Sequence, residues 1–231
     1  NMGIAMGARL VLSVDPRNFS DLLLKIQKYR PTIFPGVPGL YHGINQHSDV
    51  QAGKYDLSSI RACISGSAPL LREVKDQFER LTGGKLVEGY GLSEAPTATH
   101  CNPIIGENRT GSIGLPLPDV EARIVSLDDG WTDLEIGQPG ELIVRGPQIM
   151  AGYHNRPEEN NLVLREGWLF TGDVARMDAD GYFYLVDRKK EVIKAGGYQV
   201  WPREVEEVIA KHPAVLEVGV AGVLRPGRGE T

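Results

Sequence analysis

The chain has 231 residues, a formal net charge of −5 and 41% hydrophobic residues, as expected of a folded globular protein with one or two domains. The acidic balance argues against nucleic-acid binding, which needs a basic surface facing phosphate. Cys63 and Cys101 lack CxxC spacing, so they indicate neither a disulfide framework nor a structural zinc site and favour a reducing, cytoplasmic setting. Glycine and proline are frequent, with 28 and 15 residues, and predict many turns.

No apolar run approaches the roughly 20 residues that a membrane-spanning helix needs, and the first twelve residues lack the basic region of a signal peptide. Membrane contact is therefore expected to be peripheral at most, and no feature specifies an oligomeric state. The sequence opens on Asn1 and closes on Gly-Arg-Gly-Glu-Thr without a helix stop. These ends predict an internal piece of a longer protein.

The first hundred residues alternate short apolar runs with amphipathic stretches. Strands are predicted at 9–14, 32–36, 61–66 and 85–91. Helices are predicted at 20–30 with Ser20 as N-cap and with Leu22, Leu23 and Ile26 facing inward, within 37–47, and at 69–83 closed by Gly83. This order predicts a parallel sheet covered by helices, in which ligands bind beyond the carboxyl ends of the strands. Two of those ends carry glycine-rich turns, SGSAP at 65–69 and GYGLSE at 89–94.

The second half is expected to be antiparallel, in the form of a small barrel or sandwich. Strands are predicted at 120–125 and 140–146, and Asp180-Gly181 predicts a type I′ hairpin turn. Beyond Asp187, a helix is predicted at 202–212 and a strand at 215–223.

The predicted fold class is therefore α/β. A large domain is expected to combine a βαβ parallel sheet layer at 1–108 with a small antiparallel β-barrel at 109–187. Residues 188–231 would form the truncated start of a small α+β C-terminal domain, because this segment is too short to bury a core of its own.

Two glycine-rich motifs of the first half have the composition of a ligand-binding surface. Small side chains at 65–69 let backbone approach a flat ligand, although an ordinary tight turn needs the same residues. In the second motif Tyr90 could stack on a base, Ser93 could donate to phosphate and Glu94 could ligate Mg²⁺, which prefers carboxylate oxygen. A plain turn with a half-buried tyrosine and a solvated carboxylate would look the same.

Two further motifs lie in the second half, LFTGD at 169–173 and VDRKKEVIKAGGYQVWP at 186–202. Asp173 could accept hydrogen bonds from both ribose hydroxyls, and the guanidinium of Arg188 could face phosphate or ribose. The alternatives are a turn cap for Asp173 and a solvated charged segment for residues 188–191. Gly196 and Gly197 before an aromatic residue predict close backbone approach.

The ordered motifs SGSAPL, GYGLSE, TGD and GYFYLVDRKKEVIKAGGYQVWPREVEEVI resemble the adenylate-forming superfamily of acyl-CoA synthetases, luciferases and peptide-synthetase adenylation domains. The resemblance covers nearly the whole chain. It is strongest to the long-chain fatty-acid CoA ligases, through GYGLSEAPTATHCNP, GSIGLPLPDVEARIV and GQPGELIVRGPQIMAGYHNRPEE.

The resemblance implies a role for each matching residue, with ATP or AMP, Mg²⁺ and coenzyme A as small-molecule ligands beside a fatty acid. Ser93 would contact phosphate, Glu94 would lie near Mg²⁺, and Asp173 would bind the ribose hydroxyls. Arg188 would contact ribose or α-phosphate. The nucleotide would also face the turns and glycine motifs, namely Ser65, Gly66, Ser67, Ala68, Pro69, Glu88, Gly89, Tyr90 and Gly91.

The C-terminal motif carries the residues that the resemblance links to domain movement and thioester formation. Lys190 matches a hinge, Lys194 matches a lysine of the second half-reaction, and Gln199 matches a residue that approaches AMP. Coenzyme A would enter near Gly196 and Gly197. Many relatives have another lysine where Gly196 stands, so that contact is not expected here.

In such enzymes a carboxylate attacks the α-phosphate of ATP, and coenzyme A then displaces AMP. Two family elements do not occur in the 231 residues, the Ser/Thr/Gly-rich phosphate loop ending in Pro-Lys-Gly and the C-terminal adenylation lysine. The chain alone is therefore expected to be inactive. The alternatives are another adenylate-forming enzyme with a short-chain, aromatic or amino-acid substrate, a luciferase-type relative without thioester formation, and a non-catalytic nucleotide-binding or protein-interaction module.

Overall fold

The computed structural model describes residues 2–195, 198–212, 214–215, 218–225 and 229–230. Its backbone contacts divide the chain into two compact units. Unit 1 is Asn1–Gly91 with Cys101–Gly114, and unit 2 is Leu92–His100 with Leu115–Thr231. The domain limits proposed at residues 108 and 187 remain predictions, and each unit is described by itself below.

Unit 1 has the βαβ layer that the sequence predicts. Its elements are α1 (Met2–Ala5), α2 (Phe19–Tyr29), α3 (Pro38–Gln46), α4 (Ser48–Gln51), β1 (Ala62–Ser65), α5 (Arg72–Thr82) and β2 (Lys85–Leu92). Strands β1 and β2 pair in parallel with Ser65 opposite Glu88, and α5 connects them. Residues 32–36 form only two isolated parallel bridges, Ile33 to Ala62 and Gly36 to Ser65, rather than the predicted continuous strand.

The core of unit 1 explains why the extended segment around Phe34 lies alongside β1. The side chain of Tyr41 is fully buried, and its hydroxyl lies 2.9 Å from the Phe34 carbonyl and 3.0 Å from the Ile64 carbonyl. Phe78 packs edge-on against Tyr41, with ring centroids 4.8 Å apart. The inward-facing residues predicted on α2 are confirmed as buried, namely Leu22, Leu23 and Ile26.

Unit 2 is built from short, mainly antiparallel strands. Its elements are β3 (Ala95–Cys101), β4 (Leu115–Pro116), β5 (Glu121–Val125), β6 (Gly140–Arg145), α6 (Pro157–Val163), β7 (Leu164–Arg165), β8 (Trp168–Met177), β9 (Phe183–Arg188), a 3₁₀ turn (Lys189–Glu191), β10 (Ile193–Ala195), β11 (Tyr198–Val200), α7 (Pro202–Ile209), β12 (Leu224–Arg225) and β13 (Gly229–Glu230).

Two sheets organise unit 2. One is five-stranded and antiparallel, in the order β5-β6-β8-β7 with β9 also paired to β8, and it confirms the antiparallel prediction. Its core contains Val125, Ile143, Trp168 and Phe170. The other sheet has the order β11-β10-β13-β12. The α/β class predicted from the sequence is thus confirmed.

Several local predictions in unit 1 are wrong. Residues 9–14 are not a strand: Leu10, Leu12 and Val14 stay exposed, and no ladder in the described residues pairs their backbone. The N-cap of α2 is Asn18, whose side chain accepts from the Asp21 amide at 3.2 Å, instead of Ser20.

The helix expected from residue 69 begins three residues later than predicted. Helix α5 starts at Arg72, because Ala68 and Pro69 lie in the loop that follows β1. Its predicted end is correct, with Gly83 as a left-handed C-cap at φ 72°.

In the GYGLSE motif, β2 continues through Leu92, so the turn contains only Ser93 and Glu94. The strand predicted at 85–91 is thus confirmed, and Gly89 to Gly91 belong to the strand and not to the glycine-rich turn. Backbone pairing continues here because the glycines are flanked by residues that bury well in the strand.

Three predictions in unit 2 also need correction. Gly181 has a φ of 82°, but Asp180 does not have positive φ, so the hairpin turn is not type I′. The Asp178 carboxylate instead organises a longer loop by accepting from the amides of Asp180 and Tyr182. Helix α7 ends at Ile209 rather than 212, and the described residues 218–223 form no strand.

Candidate functional site

Three neighbouring extended segments of unit 1 bring a glycine to the same place, Gly36, Gly66 and Gly89. The Gly66 amide donates to the Gly36 carbonyl at 3.3 Å, and a Cβ on Gly66 would lie 3.6 Å from the carbonyl oxygen of Gly89. The following residues Ser67, Ala68 and Pro69 are exposed, and Ser67 has a φ of 71°. This edge is a backbone-lined surface at the carboxyl ends of parallel segments, where ligands of α/β sheets bind.

Polar groups are buried directly beneath that edge. Ser65 is 1% exposed, and its hydroxyl has no hydrogen-bond partner within the described part of the chain. The Glu88 carboxylate accepts from the Gly111 amide at 2.8 Å, and Tyr90 is buried two residues further along β2. A buried hydroxyl without a partner is unusual and is compatible with a polar ligand at this edge.

In unit 2, Glu94 is held by two contacts from the segment after β6. The Tyr153 hydroxyl donates to Glu94 Oε1, and the Met150 amide donates to the Glu94 carbonyl at 2.8 Å. The hydrogen bond to Glu94, with burial and the negative charge as smaller causes, raises the pKa of Tyr153 to about 12. The tyrosine therefore remains a donor at neutral pH, while Ser93 beside it is exposed.

The Thr-Gly-Asp motif is a bulge in β8. Leu142 of β6 faces all three residues of the motif, because the ladder register jumps from Glu141–Val174 to Ile143–Phe170. The Thr171 hydroxyl donates to the Leu142 carbonyl at 2.7 Å and accepts from the Asp173 amide at 3.1 Å. Gly172 takes a φ of 71°. The bulge places Asp173 outside the regular β6–β8 ladder, while Asp173 still pairs with β9.

The structure brings Asp173 and Arg188 together. They are register partners on β8 and β9, and Arg188 Nε lies 3.3 Å from Asp173 Oδ1. The Asp173 side chain is 14% exposed and that of Arg188 is 61% exposed, so the arginine reaches from solvent over a largely buried carboxylate. Such a pair offers an acceptor and a fork of donors to one polar ligand.

Lys194 and Gln199 are also brought together, as direct cross-strand partners on β10 and β11. Both side chains are exposed and share one face of the sheet, because opposite residues of an antiparallel pair point to the same side. Lys190 is exposed in the 3₁₀ turn between β9 and β10. The predictions for Gly196 and Gly197 fall outside the described residues.

A divalent cation would have Glu94 as its protein ligand in this chain. Its Oε2 makes no hydrogen bond within the described residues. Among those residues no group of three His, Cys, Asp or Glu side chains could hold a metal ion. Mg²⁺ commonly takes one or two protein carboxylates and completes its shell with water and substrate phosphates.

Sequence reasoning missed three residues that shape the site: Tyr153, Glu141 and Asp187. Glu141 is 3% exposed, and its carboxylate accepts from the Gly172 amide at 3.1 Å and from Lys189 Nζ at 2.6 Å. The Asp187 carboxylate accepts from the Arg203 amide at the start of α7. The lone carboxylate within the apolar run GELIV is a sequence signal that could have identified Glu141 as a buried charged residue. Tyr153 and Asp187 have no such signal, because their hydrogen-bond partners are distant in sequence.

The described helices are all too short or too polar to cross a membrane.

Comparison with known proteins agrees with the motif-based resemblance. The sequence pattern of the AMP-binding enzymes matches residues 1–154. A long-chain-fatty-acid–CoA ligase of Bacillus subtilis (strain 168) is 52% identical over 236 aligned positions, which cover 100% of this chain and 40% of that protein. The chain thus spans about 40% of the length of the curated relatives it matches.

Solved structures agree as well. The anthranilate CoA ligase AuaEII in complex with anthranoyl-AMP matches 97% of this chain and 43% of its own, with 32% identity and a TM-score of 0.81. The O-succinylbenzoate coenzyme A synthetase of Bacillus subtilis in complex with AMP matches 99% of this chain and 46% of its own, with 28% identity and a TM-score of 0.82. The chain belongs to the AMP-binding enzyme family.

Proposed function

We propose that the chain is part of an ATP-dependent acyl-CoA ligase that activates a long-chain fatty acid as acyl-AMP and transfers it to coenzyme A. The observation that carries the proposal is the Asp173–Arg188 pair. The bulge that holds Asp173 is stabilised by the hydrogen bonds of the Thr171 hydroxyl, and the two residues belong to motifs that occur in the same order as in the family. The 52% identity to a fatty-acid CoA ligase supports the substrate class.

Nucleotide-binding groups are proposed in unit 1 and, separately, in unit 2. In unit 1, the backbone edge at 65–69 and the strand with Glu88, Gly89, Tyr90 and Gly91 would face the adenine. In unit 2, Ser93 would donate to phosphate, Asp173 would accept from the ribose hydroxyls, and Arg188 would donate to ribose or α-phosphate. Charge-assisted hydrogen bonds of this kind contribute about 1.5–3 kcal/mol each.

The first half-reaction needs positioning and charge neutralisation rather than an enzyme nucleophile. A carboxylate oxygen of the fatty acid forms a bond to the α-phosphorus, and the bond to pyrophosphate breaks. Donors such as Arg188 would stabilise the negative charge that develops on the phosphate oxygens. Mg²⁺ bound at Glu94 would supply further neutralisation of phosphate charge.

The second half-reaction requires different groups at the acyl carbon. The sulfur of coenzyme A forms the thioester bond and AMP leaves. Lys194 is proposed to serve this stage, with coenzyme A near Gly196 and Gly197. Gln199, its cross-strand partner on the same exposed face, is proposed to approach AMP. Lys190, in the turn between the two sheets of unit 2, is the proposed hinge residue.

Calorimetric titration of this chain with AMP tests the nucleotide assignment. We expect weak binding that is lost in Asp173→Ala, because the ribose acceptor is removed. Asp133→Ala is the matched control, since Asp133 pairs with Arg123 on the same sheet. Unchanged affinity in Asp173→Ala would show that the assignment is wrong.

Activity assays test the status of the isolated chain. Because the phosphate loop and the adenylation lysine do not occur in its sequence, we expect no ATP–pyrophosphate exchange with a fatty acid. A full-length protein containing the chain should exchange pyrophosphate and form acyl-CoA. Clear turnover by the 231 residues alone would contradict the expected inactivity.

An aromatic acid is the second candidate substrate, because an anthranilate CoA ligase shares 32% identity with 97% of the chain. Paired assays of the full-length protein with palmitate and benzoate separate the two classes. Long-chain activation predicts a much higher kcat/KM for palmitate, and the reverse order would favour the aromatic class.

A further inference from the structure

Strand β6 contains a carboxylate where the fold by itself favours an apolar residue. Residues Gly140 to Val144 are all buried, yet Glu141 carries a charge into this layer at 3% exposure. A buried carboxylate is costly unless both oxygens find donors, and well-packed apolar side chains often replace such groups without loss of stability. Its presence therefore calls for a reason beyond packing.

The two oxygens of Glu141 contact two separate segments. Oε1 accepts from the Gly172 amide at 3.1 Å, and Oε2 accepts from Lys189 Nζ at 2.6 Å. Gly172 is the left-handed residue of the bulge, and Lys189 directly follows Arg188. One carboxylate thus fixes the residue next to Asp173 and the residue next to Arg188.

The bulge and the carboxylate depend on each other. A regular ladder would give the Gly172 amide a backbone acceptor, but the bulge removes that acceptor and Glu141 replaces it. What the bulge provides in return is the placement of Asp173 opposite Arg188 at 3.3 Å. The Gly172 amide belongs to the peptide between Thr171 and Gly172, so Glu141 restrains the backbone that leads directly into Asp173.

We propose that Glu141 is a positioning residue for ribose recognition. It holds the Gly172 peptide and the Lys189 side chain so that Asp173 and Arg188 face the same ribose. This inference rests on the proposed function, in which Asp173 accepts from the ribose hydroxyls.

The test compares two nucleotides in a full-length protein that contains this chain. Dissociation constants are measured by calorimetry for ATP and for 2′,3′-dideoxy-ATP, which lacks both hydroxyls, and their ratio reports ribose recognition. Glu141→Ala should lower the preference for ATP about tenfold, because one or more charge-assisted hydrogen bonds to ribose are lost. Glu141→Gln keeps an acceptor for Gly172 and should retain most of the preference.

Three further variants make the result decisive. Lys189→Met removes the donor of Glu141 Oε2 and keeps the Glu141 side chain in place. If Glu141→Ala does not fold, Lys189→Met and Glu141→Gln carry the test. Glu121→Gln is the matched control, because Glu121 pairs with Arg145 on the surface of the same sheet and should leave the ratio unchanged. Asp173→Asn reports on the ribose contact itself.

The outcomes separate the two claims. If Asp173→Asn lowers the ratio but Glu141→Ala and Lys189→Met do not, Glu141 has no positioning role and the proposed function stands. If Asp173→Asn leaves the ratio unchanged, the ribose assignment fails and the role of Glu141 fails with it.

Discussion

The hydroxyl of Tyr153 donates a hydrogen bond to the carboxylate of Glu94, 59 residues earlier in the chain. Tyr153 is itself held in place, because its amide donates to Asn160 Oδ1 at 2.6 Å and Asn160 Nδ2 donates back to the Tyr153 carbonyl at 3.1 Å. The proposed metal ligand is therefore oriented by a fixed donor. Partners of this kind commonly contribute to metal affinity.

Replacing Tyr153 by phenylalanine should weaken the response to Mg²⁺. Without the hydroxyl the Glu94 carboxylate loses its orientation, so we expect about a tenfold rise in the Mg²⁺ concentration that supports half-maximal ATP binding. Fluorescence titration of a full-length protein with a labelled ATP analogue at varied Mg²⁺ measures it. Tyr184→Phe removes another hydroxyl–carboxylate contact, with Asp178, and is the control. Equal Mg²⁺ curves for both variants would rule out an orienting role.

Acid should destabilise unit 2 through His100. Burial lowers the pKa of His100 from 6.5 to about 3, and the ring packs edge-on against Phe183. Between these values the unfolded chain binds a proton that the folded chain does not. Stability is therefore complete above pH 6.5 and falls as the pH drops toward 3, by about 1.4 kcal/mol per pH unit from this group.

Urea unfolding of the chain at several pH values between 7.5 and 4.5 measures that slope. His100→Phe should flatten it, because the other titrating groups contribute equally to both proteins. His154→Ala is the matched control, since His154 is exposed. Parallel pH curves for the wild type and His100→Phe would contradict the prediction.

Two glycines with similar backbone angles should differ sharply in their tolerance of alanine. Gly111 and Gly114 have φ values of 86° and 92°, so both substitutions strain the backbone. A Cβ at 114 would also lie 2.1 Å from the carbonyl carbon of Cys101, whereas a Cβ at 111 would meet open space within the described part of the chain.

We therefore expect Gly111→Ala to cost about 1 kcal/mol and Gly114→Ala to cost at least about 4 kcal/mol or prevent folding. Urea midpoints of the two variants give the comparison. A similar loss for both would mean that the chain around Cys101 shifts easily and that backbone angle alone decides the cost.

Asp187 should stabilise the beginning of α7. Its carboxylate accepts from the Arg203 amide at 3.1 Å, although the N-cap position, Trp201, has no capping side chain. Asp187→Ala should destabilise the helix by about 1 kcal/mol, and Asp187→Asn should largely retain the contact. Hydrogen exchange of the backbone amides of residues 203–209 measures this effect, and equal protection in wild type and Asp187→Ala would refute the capping role.

Local chemistry in the sequence was enough to predict the unit 1 layer. The spacing of Leu22, Leu23 and Ile26 predicts a buried helix face, and Gly83 predicts the end of α5, because each depends on neighbours in sequence. The pattern at 9–14 fails for the opposite reason. Alternating apolar residues form a strand only where another strand and a covering layer are present, and Leu12 and Val14 remain exposed.

The sequence by itself determined the family, the α/β class and the residue types of the candidate site, because motifs such as Thr-Gly-Asp are contiguous. Only the tertiary structure decided how those residues are held. The bulge at Gly172, the buried carboxylate of Glu141 and the donor that Tyr153 supplies to Glu94 all join positions far apart in the chain. Burial and hydrogen bonding between distant residues depend on the folded packing, which no local pattern encodes.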